Sequence, residues 1–211
     1  MLKLIMFSLI FTGVIQIKKE VNMETYKSSA EEVVTSQSWN IDEVHSKIRF
    51  SVKHMVIAEV EGQFNKFDFN LINEQEDFSS SQVELIIEAG SVDTRNNDRD
   101  NHLRSADFFD VEKFPTIKFT STSVKKINDE KYKMRGDLTI KDYTKPIELD
   151  VTYGGQIKDP WGNTRAGFNV KGSLNRFDYG LKWNNLIETG GAVVGKNINV
   201  NCDIEVVKAE E

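Results

Sequence analysis

NINVNCDIEV, residues 197–206, alternates polar and apolar side chains without interruption. Successive side chains of a β-strand point to opposite faces, so this stretch predicts a strand with one wet face and one dry face. Antiparallel sheets show this alternation, whereas strands buried in parallel sheets are apolar throughout. The fold therefore has to be an antiparallel one that hides a single dry face.

The same period of two recurs along most of the chain and predicts about eight long strands. None of the predicted helices is long enough to cover so much dry surface. The economical solution is an all-β sheet that closes on itself as an eight-stranded antiparallel barrel, since closure also removes the sheet edges. Such a barrel can be filled by its own side chains or can hold one small ligand, and alternation does not decide between these. The first predicted inward face contains Val44, Ser46, Ile48, Phe50, Val52 and His54.

A charged and aromatic stretch interrupts the strand pattern at residues 96–115, NNDRDNHLRSADFFDVEKFP, which we call the central segment. A simple turn between strands needs only a few residues, so about twenty such residues indicate a separate role. A short helical lid segment is predicted near residues 97–105. Asp100 and Arg104 would pair there at the i, i+4 spacing.

The central segment is also the clearest part of a resemblance to a known family. Together with other short motifs in the same order, it resembles the YceI-like family of polyisoprenoid-binding proteins from Trp39 to Lys208. The motifs, by their residues in this sequence, are 50–54 (FSVKH), 62–67 (GQFNKF), 93–94 (DT), 99–110 (RDNHLRSADFFD), 114–117 (FPTI), 136–140 (GDLTI), 144–146 (TKP), 159–162 (DPWG), 165–168 (RAGF), 175–181 (NRFDYGL) and 188–191 (ETGG).

The resemblance implies an extended lipocalin-like barrel, over residues 38–208, whose lumen holds a long polyisoprenoid tail. It implies a non-enzymatic function in binding, transporting or storing an isoprenoid lipid, such as a polyisoprenoid quinone or a polyprenyl phosphate. The lipid would be the only bound group, without a further cofactor. The aliphatic and aromatic inward faces of the predicted strands are suited to such a tail.

The candidate ligand-binding residues combine inward aromatic residues with polar residues of the central segment. His54 would contact a head group or simply be a satisfied rim histidine. Arg99 would bind a phosphate or carbonyl, or else would hold the lid in shape with Asp100 and Arg104. The aromatic residues would line or cap the lumen, or would plug and staple the barrel. The set is His54, Phe50, Phe67, Phe69, Arg99, His102, Phe108, Phe109, Phe119, Phe168, Phe177 and Trp183.

Two other functions stay open. One is an isomerase or cyclase that would use Asp100, His102 and Arg99 on a lipid-like substrate, and the other is a stress-linked interaction scaffold. No catalytic residue and no metal site is predicted, because three histidines and no HExxH or CxxC spacing offer no recognisable ligand set. A homodimer is compatible with the family.

Composition limits the partners. The net charge of −6 argues against nucleic acid and against docking on anionic lipid by charge. Any membrane contact is expected to be transient or to use the N-terminal segment. The single cysteine, Cys202, falls on the apolar face of its strand and is predicted to be a small core residue.

The first residues are expected to precede the barrel as a leader. Residues 1–22 contain an apolar run, Leu4 to Ile17, that suits an export signal or hydrophobic leader, and residues 23–37 are predicted to be a flexible polar leader. Lys18 and Lys19 stand where a small-residue cleavage site belongs, and Met23 offers an alternative start. The pattern favours the cytoplasm, with the periplasm or cell envelope as the alternative.

Overall fold

A computed structural model describes residues 36–74, 77–184 and 193–209. Its strands form where polar and apolar side chains alternate in the sequence. All of these belong to one compact unit, residues 34–211, whereas the predicted leader at residues 1–22 and nearly all of residues 23–37 lie outside the described residues. The strands are β1 Gln37–Ile41, β2 Lys47–His54, β3 Ala58–Phe64, β4 Phe67–Asn73, β5 Gln82–Glu88, β6 Val92–Asp93, β7 Thr116–Lys126, β8 Lys131–Ile140, β9 Tyr143–Lys158, β10 Thr164–Asn175 and β11 Val194–Lys208. One α-helix, α1 Asn97–Arg104, and three short 3₁₀ turns, Phe78–Ser80, Ala89–Ser91 and Arg176–Tyr179, complete the described residues.

The sheet closes into a barrel of eight antiparallel strands, which confirms the predicted fold class. The order around the barrel is β1-β4-β5-β7-β8-β9-β10-β11, and β1 pairs again with β11. The predicted helix near residues 97–105 is confirmed as α1. No helix in the part of the chain that the structure describes is both long and apolar enough to cross a bilayer.

The barrel has eight strand positions, which we call rows. In three of these rows two shorter strands follow one another, so eleven strands fill eight rows. β2 follows β1 along β11, β3 pairs with β2, and β6 pairs with β3. The first break lies at residues 42–46, where the Asp42 carboxylate accepts the backbone N–H groups of Val44 and His45. The prediction that Val44 belongs to an inward face is wrong, because this turn leaves Val44 83% exposed.

The two ends of the barrel differ. We call the end where β1 begins and β11 ends the closed end, because aromatic rings fill it. Phe78 lies 5.5 Å from Trp39, 5.4 Å from Tyr153 and 4.8 Å from Phe168, measured between ring centroids. At the opposite end β2 finishes, β11 begins and the central segment packs. We call it the mouth end.

Gly136 occupies an inward position on β8 because the Phe119 ring of β7 lies directly over it. A Cβ atom at this position would stand 2.4 Å from Phe119 Cζ and 2.5 Å from the Thr120 carbonyl oxygen. The glycine is therefore what allows a large ring to point into the barrel from the neighbouring strand.

Gly136→Ala should lower the free energy of unfolding by about 1–3 kcal/mol, because either the ring or the strand has to move. Urea denaturation monitored by circular dichroism would measure the loss. Gly90→Ala is the matched control, since a Cβ there has its nearest neighbour at 3.9 Å. Equal stability of the two variants would contradict this account of the packing.

A cluster of ion pairs fixes the closed end from outside. Arg165 Nη1 lies 2.6 Å from Asp42 Oδ2 and 2.7 Å from Glu205 Oε1, and Arg165 Nε lies 2.7 Å from Asp159 Oδ2. Partial burial tends to raise the pKa of Asp42, but hydrogen bonds from His45 and Arg165 outweigh burial and lower the pKa to about 2. The hydrogen bond from Arg165 also lowers the pKa of Asp159.

Acid should weaken the fold through this cluster. The folded pKa of Asp42 lies below its ordinary value of 3.8, so its contribution is complete above that value and is lost as pH falls towards 2. Arg165→Met should lower the free energy of unfolding at pH 7, and the variant should lose less stability between pH 4 and 2 than the unmodified chain. Urea denaturation across that pH range would measure both effects.

Arg135→Met is the control, because Arg135 pairs with Glu148 on the exposed wall. An exposed pair contributes little, so its loss should change the free energy of unfolding much less than Arg165→Met does. An acid response of Arg165→Met as steep as that of the unmodified chain would refute the role of this cluster.

Candidate functional site

A cavity of about 200 Å³ lies inside the barrel and extends to the mouth end. Among the described residues, 28 line this cavity, and all of them are apolar except Arg49 and Arg176. All eight rows of the barrel contribute, although β1 itself and the closed-end half of β9 do not, because the inward side chains of alternating strands converge on one axis. The dry face predicted from the sequence is therefore the wall of this lumen.

A second cavity of about 50 Å³ lies nearer the closed end. Five residues line both cavities, and we call them the constriction, since they stand between the two spaces. The constriction consists of Phe69, Val83, Met134, Val170 and Ile204. The lumen is therefore divided by side chains and not by backbone.

Arg49 keeps its charge outside the barrel. Its Nη2 atom donates to Asp203 Oδ2, and its Nε atom donates to the Asn201 carbonyl oxygen 3.4 Å away. Both partners are on the outer face of β11, which alternates with the inward residues Val200 and Cys202. Arg176 is thus the one lining residue of the described chain whose charge is buried at the lumen.

Arg176 is 1% exposed and is bound by backbone carbonyls. Its guanidinium donates to Gly195 O at 2.9 Å, Trp183 O at 2.8 Å, Val194 O at 3.2 Å and Leu181 O. None of the described carboxylates forms an ion pair with it, and burial lowers its pKa. The result is a buried positive charge that carbonyl dipoles stabilise at the mouth end.

The local fold brings Arg176 there. Asn175 caps the 3₁₀ turn Arg176–Tyr179 through its side chain, and Gly180 ends the turn with a left-handed φ of 70°. The Phe177 ring lies 4.5 Å from the guanidinium carbon, measured to the ring centroid. The motif at residues 175–181 contains this arginine, but nothing in the sequence singled it out, because the carbonyls that bind it are up to 19 residues away.

The central segment is held by polar contacts with the strand before it. The buried Asp100 accepts from Thr94 N at 2.9 Å and Thr94 Oγ1 at 2.5 Å, while Arg99 Nε donates to Thr94 Oγ1 at 2.7 Å. Arg104 donates to the carbonyls of Gly90 and Val92 at 2.8 and 2.7 Å. The predicted pair between Asp100 and Arg104 is wrong, because each side chain finds a closer partner in the chain just before the helix.

Three rings meet on the side of α1 that faces the mouth end. The His102 ring centroid lies 5.0 Å from that of Phe108 and 4.6 Å from that of Trp183. Its Nε2 atom is 3.0 Å from Asp107 Oδ2. Phe108 also lines the main cavity, so this group, the mouth cluster of His102, Phe108 and Trp183, connects the lid to the lumen.

The predicted ligand-binding residues divide into those that line the main cavity, one that lines only the second cavity, and those that line neither cavity. Arg99 lines an outer polar cleft, His54 ends β2, and Phe177 is 38% exposed. Which residues contact a ligand stays a prediction. Of the predicted residues, five line the main cavity: Phe50, Phe69, Phe108, Phe109 and Phe119. Phe168 lines the second cavity. Six line neither cavity: His54, Phe67, Arg99, His102, Phe177 and Trp183.

One group of side chains among the described residues has the spacing of metal ligands, namely Asp42, His45 and Glu205. It belongs to the outer cluster at the closed end, and the guanidinium of Arg165 already lies between its two carboxylates. The group therefore reads as part of that ion-pair cluster.

Asp100→Ala should release the central segment from the barrel. It leaves the Thr94 N–H and hydroxyl without their acceptor in a buried place, which should cost about 1–3 kcal/mol of unfolding free energy. Urea denaturation would measure the loss, and limited proteolysis should find new cleavage within residues 96–115. Asp98→Ala is the control on the exposed side of the same helix turn. Similar losses in both variants would contradict the proposed anchor.

Comparison with known protein families gives a match over most of the chain. The family model described as YceI-like domain matches residues 39–206. A UPF0312 protein of Staphylococcus epidermidis is 40% identical over 168 residues, which cover 79% of this chain and 95% of that protein.

Solved structures agree with this match. The Campylobacter jejuni YceI protein has a TM-score of 0.64 and 31% identity, and the alignment covers 75% of this chain and 90% of that one. A polyisoprenoid binding domain from Saccharophagus degradans has a TM-score of 0.58 over 81% of this chain and 98% of its own. Its 12% identity shows a shared fold.

Proposed function

Because the chain belongs to the YceI-like family, we propose that it binds a long-chain isoprenoid lipid in its barrel lumen and carries or stores it without catalysis. The lipid class is a polyisoprenoid quinone or a polyprenyl phosphate. The domain from Saccharophagus degradans is a polyisoprenoid binding domain, and its likeness to this chain supports the proposal at the level of the fold.

The observation that carries the proposal is the lining of the lumen. Apart from the outward Arg49, Arg176 is the single charged residue among the described residues that line the main cavity, and it lies at one end. A hydrocarbon tail needs such a wall, because an unpaired polar group there would have to lose its water without replacement. The polar end is suited to the head group of the same molecule.

The magnitudes are sufficient for tight binding. Burying roughly 25 tail carbons at ~0.8 kcal/mol each gives ~20 kcal/mol before costs. That value is close to the ceiling of about 18–21 kcal/mol for noncovalent affinity, so the ordering of the tail has to offset a large part of it. A long apolar lumen is therefore enough, and the mouth end sets which head group is preferred.

A long tail has to pass the constriction. The main cavity of about 200 Å³ is smaller than the roughly 300–1,000 Å³ of common ligand pockets. Met134 is the adaptable member of the constriction, since an unbranched thioether side chain changes its shape at low cost. In the proposed complex the constriction opens and the two cavities join into one tunnel.

The buried charge of Arg176 favours a head group with negative charge or a strong acceptor. The Arg176 guanidinium has five N–H groups, and four of them donate to carbonyl oxygens of the protein. One N–H group therefore has no acceptor among the described residues and remains for a ligand. A phosphate near the mouth end would supply the counter-charge that the described carboxylates do not. This favours a polyprenyl phosphate over a quinone, whose carbonyls are neutral acceptors.

The geometry supports binding over chemistry. The enzyme alternative needs Asp100, His102 and Arg99 to act together on a substrate in the lumen. Asp100 and Arg99 are both directed to Thr94, and none of the three residues lines the main cavity. A lumen without a converging acid and base favours a carrier.

Native mass spectrometry of the full chain, followed by organic extraction, tests the proposal directly. The expected result is one prenyl lipid per chain, either retained from expression or taken up from octaprenyl phosphate and octaprenyl quinone offered separately. A chain that retains no lipid and takes up neither compound would refute the proposal.

Met134→Trp should separate long tails from short ones, because a larger ring fills the constriction. Affinity for octaprenyl phosphate should fall roughly tenfold or more, since several buried methylene groups at ~0.8 kcal/mol each lose their place. Affinity for farnesyl phosphate, which fits before the constriction, should change little. Titration monitored by the fluorescence of the chain's tryptophans would measure both.

Thr152→Trp is the control, with the same ring on the exposed outer face of β9. It should bind both lipids as the unmodified chain does. Equal losses for both lipids in Met134→Trp, with the fold intact by circular dichroism, would refute a tunnel that passes the constriction.

A further inference from the structure

The turn between β2 and β3 exposes three consecutive apolar residues. Met55 is 41% exposed, Val56 71% and Ile57 89%. The other large exposed apolar residues in the described ranges stand singly, including Val44, Ile127, Ile157 and Trp161. Single exposed apolar residues are common on protein surfaces, but a protruding run needs a reason. We call Met55, Val56 and Ile57 the apolar tip.

The backbone of the tip makes this composition costly. Met55 has φ of 48° and Val56 has φ of 68°, so both residues adopt the left-handed region. A β-branched residue is rare there, and turns of this shape ordinarily use Asn, Asp or Gly. The chain therefore keeps bulky apolar side chains at two positions where small polar residues would be more stable.

The tip stands at the mouth end of the lumen. His54 and Ala58 form the last pair of the hairpin, and Met55 N donates to Val193 O at 3.0 Å. Val194, the next residue of β11, lines the main cavity, as does Val52 of β2. The three apolar side chains thus project past the rim next to the place where a lipid would enter or leave.

The surroundings of the tip are basic although the chain is acidic. Apart from the buried Arg176, residues 53–59, 176–184 and 193–196 contain three lysines and two acidic side chains, and the chain as a whole has a net charge of −6. Lys182 and Lys196 are exposed, and Lys53, although 3.7 Å from Glu59, is 62% exposed. Across the mouth end, residues 97–113 contain five acidic and three cationic side chains, so the hairpin side is the one that suits a negatively charged surface.

We infer that the apolar tip inserts into the surface of an anionic lipid bilayer and holds the mouth end of the lumen against it. Apolar side chains enter the boundary between head groups and acyl chains, while the flanking lysines remain with the phosphates. The inference rests on the proposed function, since it gives a prenyl tail a route from bilayer to lumen without crossing water. The net negative charge does not oppose it, because the contact involves the basic side of the rim.

A fluorescent label at the tip tests the insertion. Ile57→Cys in the full chain would be labelled with an environment-sensitive maleimide, and Val44→Cys, exposed at the closed end, is the matched control. The native Cys202 stays unlabelled because it is 5% exposed and burial raises its pKa to about 11. Both variants contain residues 1–33, so any membrane contact of those residues affects them equally.

Vesicles of phosphatidylcholine and phosphatidylglycerol with brominated acyl chains provide the readout. The label at position 57 should shift to shorter wavelength and be quenched, whereas the label at position 44 should not change. Equal behaviour of the two labels overturns the inference. A shift at position 57 that needs no vesicles and grows with protein concentration also overturns it, because a second copy would then cover the tip.

A second variant measures the consequence for lipid transfer. Met55→Asn/Val56→Gly/Ile57→Ser provides residues suited to the left-handed backbone, so the fold should be at least as stable. Octaprenyl phosphate should load as before, but its transfer from the loaded chain to anionic vesicles should slow roughly tenfold or more, because each apolar anchor is lost. Val44→Ser/Ile157→Ser, which removes two exposed apolar residues away from the tip, should transfer at the unmodified rate.

The two proposals fail in different ways. Unmodified chain that does not load octaprenyl phosphate or quinone counts against lipid binding, while the label experiment still judges the tip. Normal loading with unchanged transfer in the triple variant overturns the inference about the tip and leaves lipid binding in place.

Discussion

The rest of the structure depends on closing the sheet, which is achieved where β1 returns to pair with β11. Every strand has one dry face, and no helix of the described chain is large enough to cover it. Closure places all these faces around one axis and removes the exposed edges at the same time. The lumen is a consequence of closure, because the apolar side chains on the dry side of the sheet then all point towards the barrel axis.

Closure also separates charged groups from the apolar interior. One arginine lies at each end of the barrel, and the two differ in their surroundings. At the closed end, Arg165 lies outside the barrel among Asp42, Asp159 and Glu205, while aromatic rings fill the space inside. At the mouth end, Arg176 is buried among carbonyl oxygens. The charge of Arg165 is therefore more than balanced by carboxylates of the protein, whereas no described carboxylate pairs with Arg176.

Local patterns predicted the walls of the barrel well and the polar contacts poorly. Alternation identified Phe50 and Phe119 as inward residues, and the composition of residues 97–105 identified α1, because both depend on neighbours a few positions away. Asp100 accepts from Thr94 and does not pair with Arg104, and Val44 lies in a turn held by Asp42, because these polar side chains bind backbone and hydroxyl groups nearby in the chain that residue spacing alone does not identify. The role of Arg176 was missed for a different reason, since its carbonyl partners are brought together by β11 and by the chain that follows the 3₁₀ turn Arg176–Tyr179.

The sequence by itself determined the all-β class, the inward and outward sides of nearly every strand and the family. These follow from a period of two and from ordered short motifs, which are properties of the chain before it folds. Only the tertiary structure decided the broken rows, the constriction across the lumen, the buried charge at its mouth end and the apolar tip beside it. Each of these depends on distances between residues far apart in sequence, and closure of the barrel sets those distances.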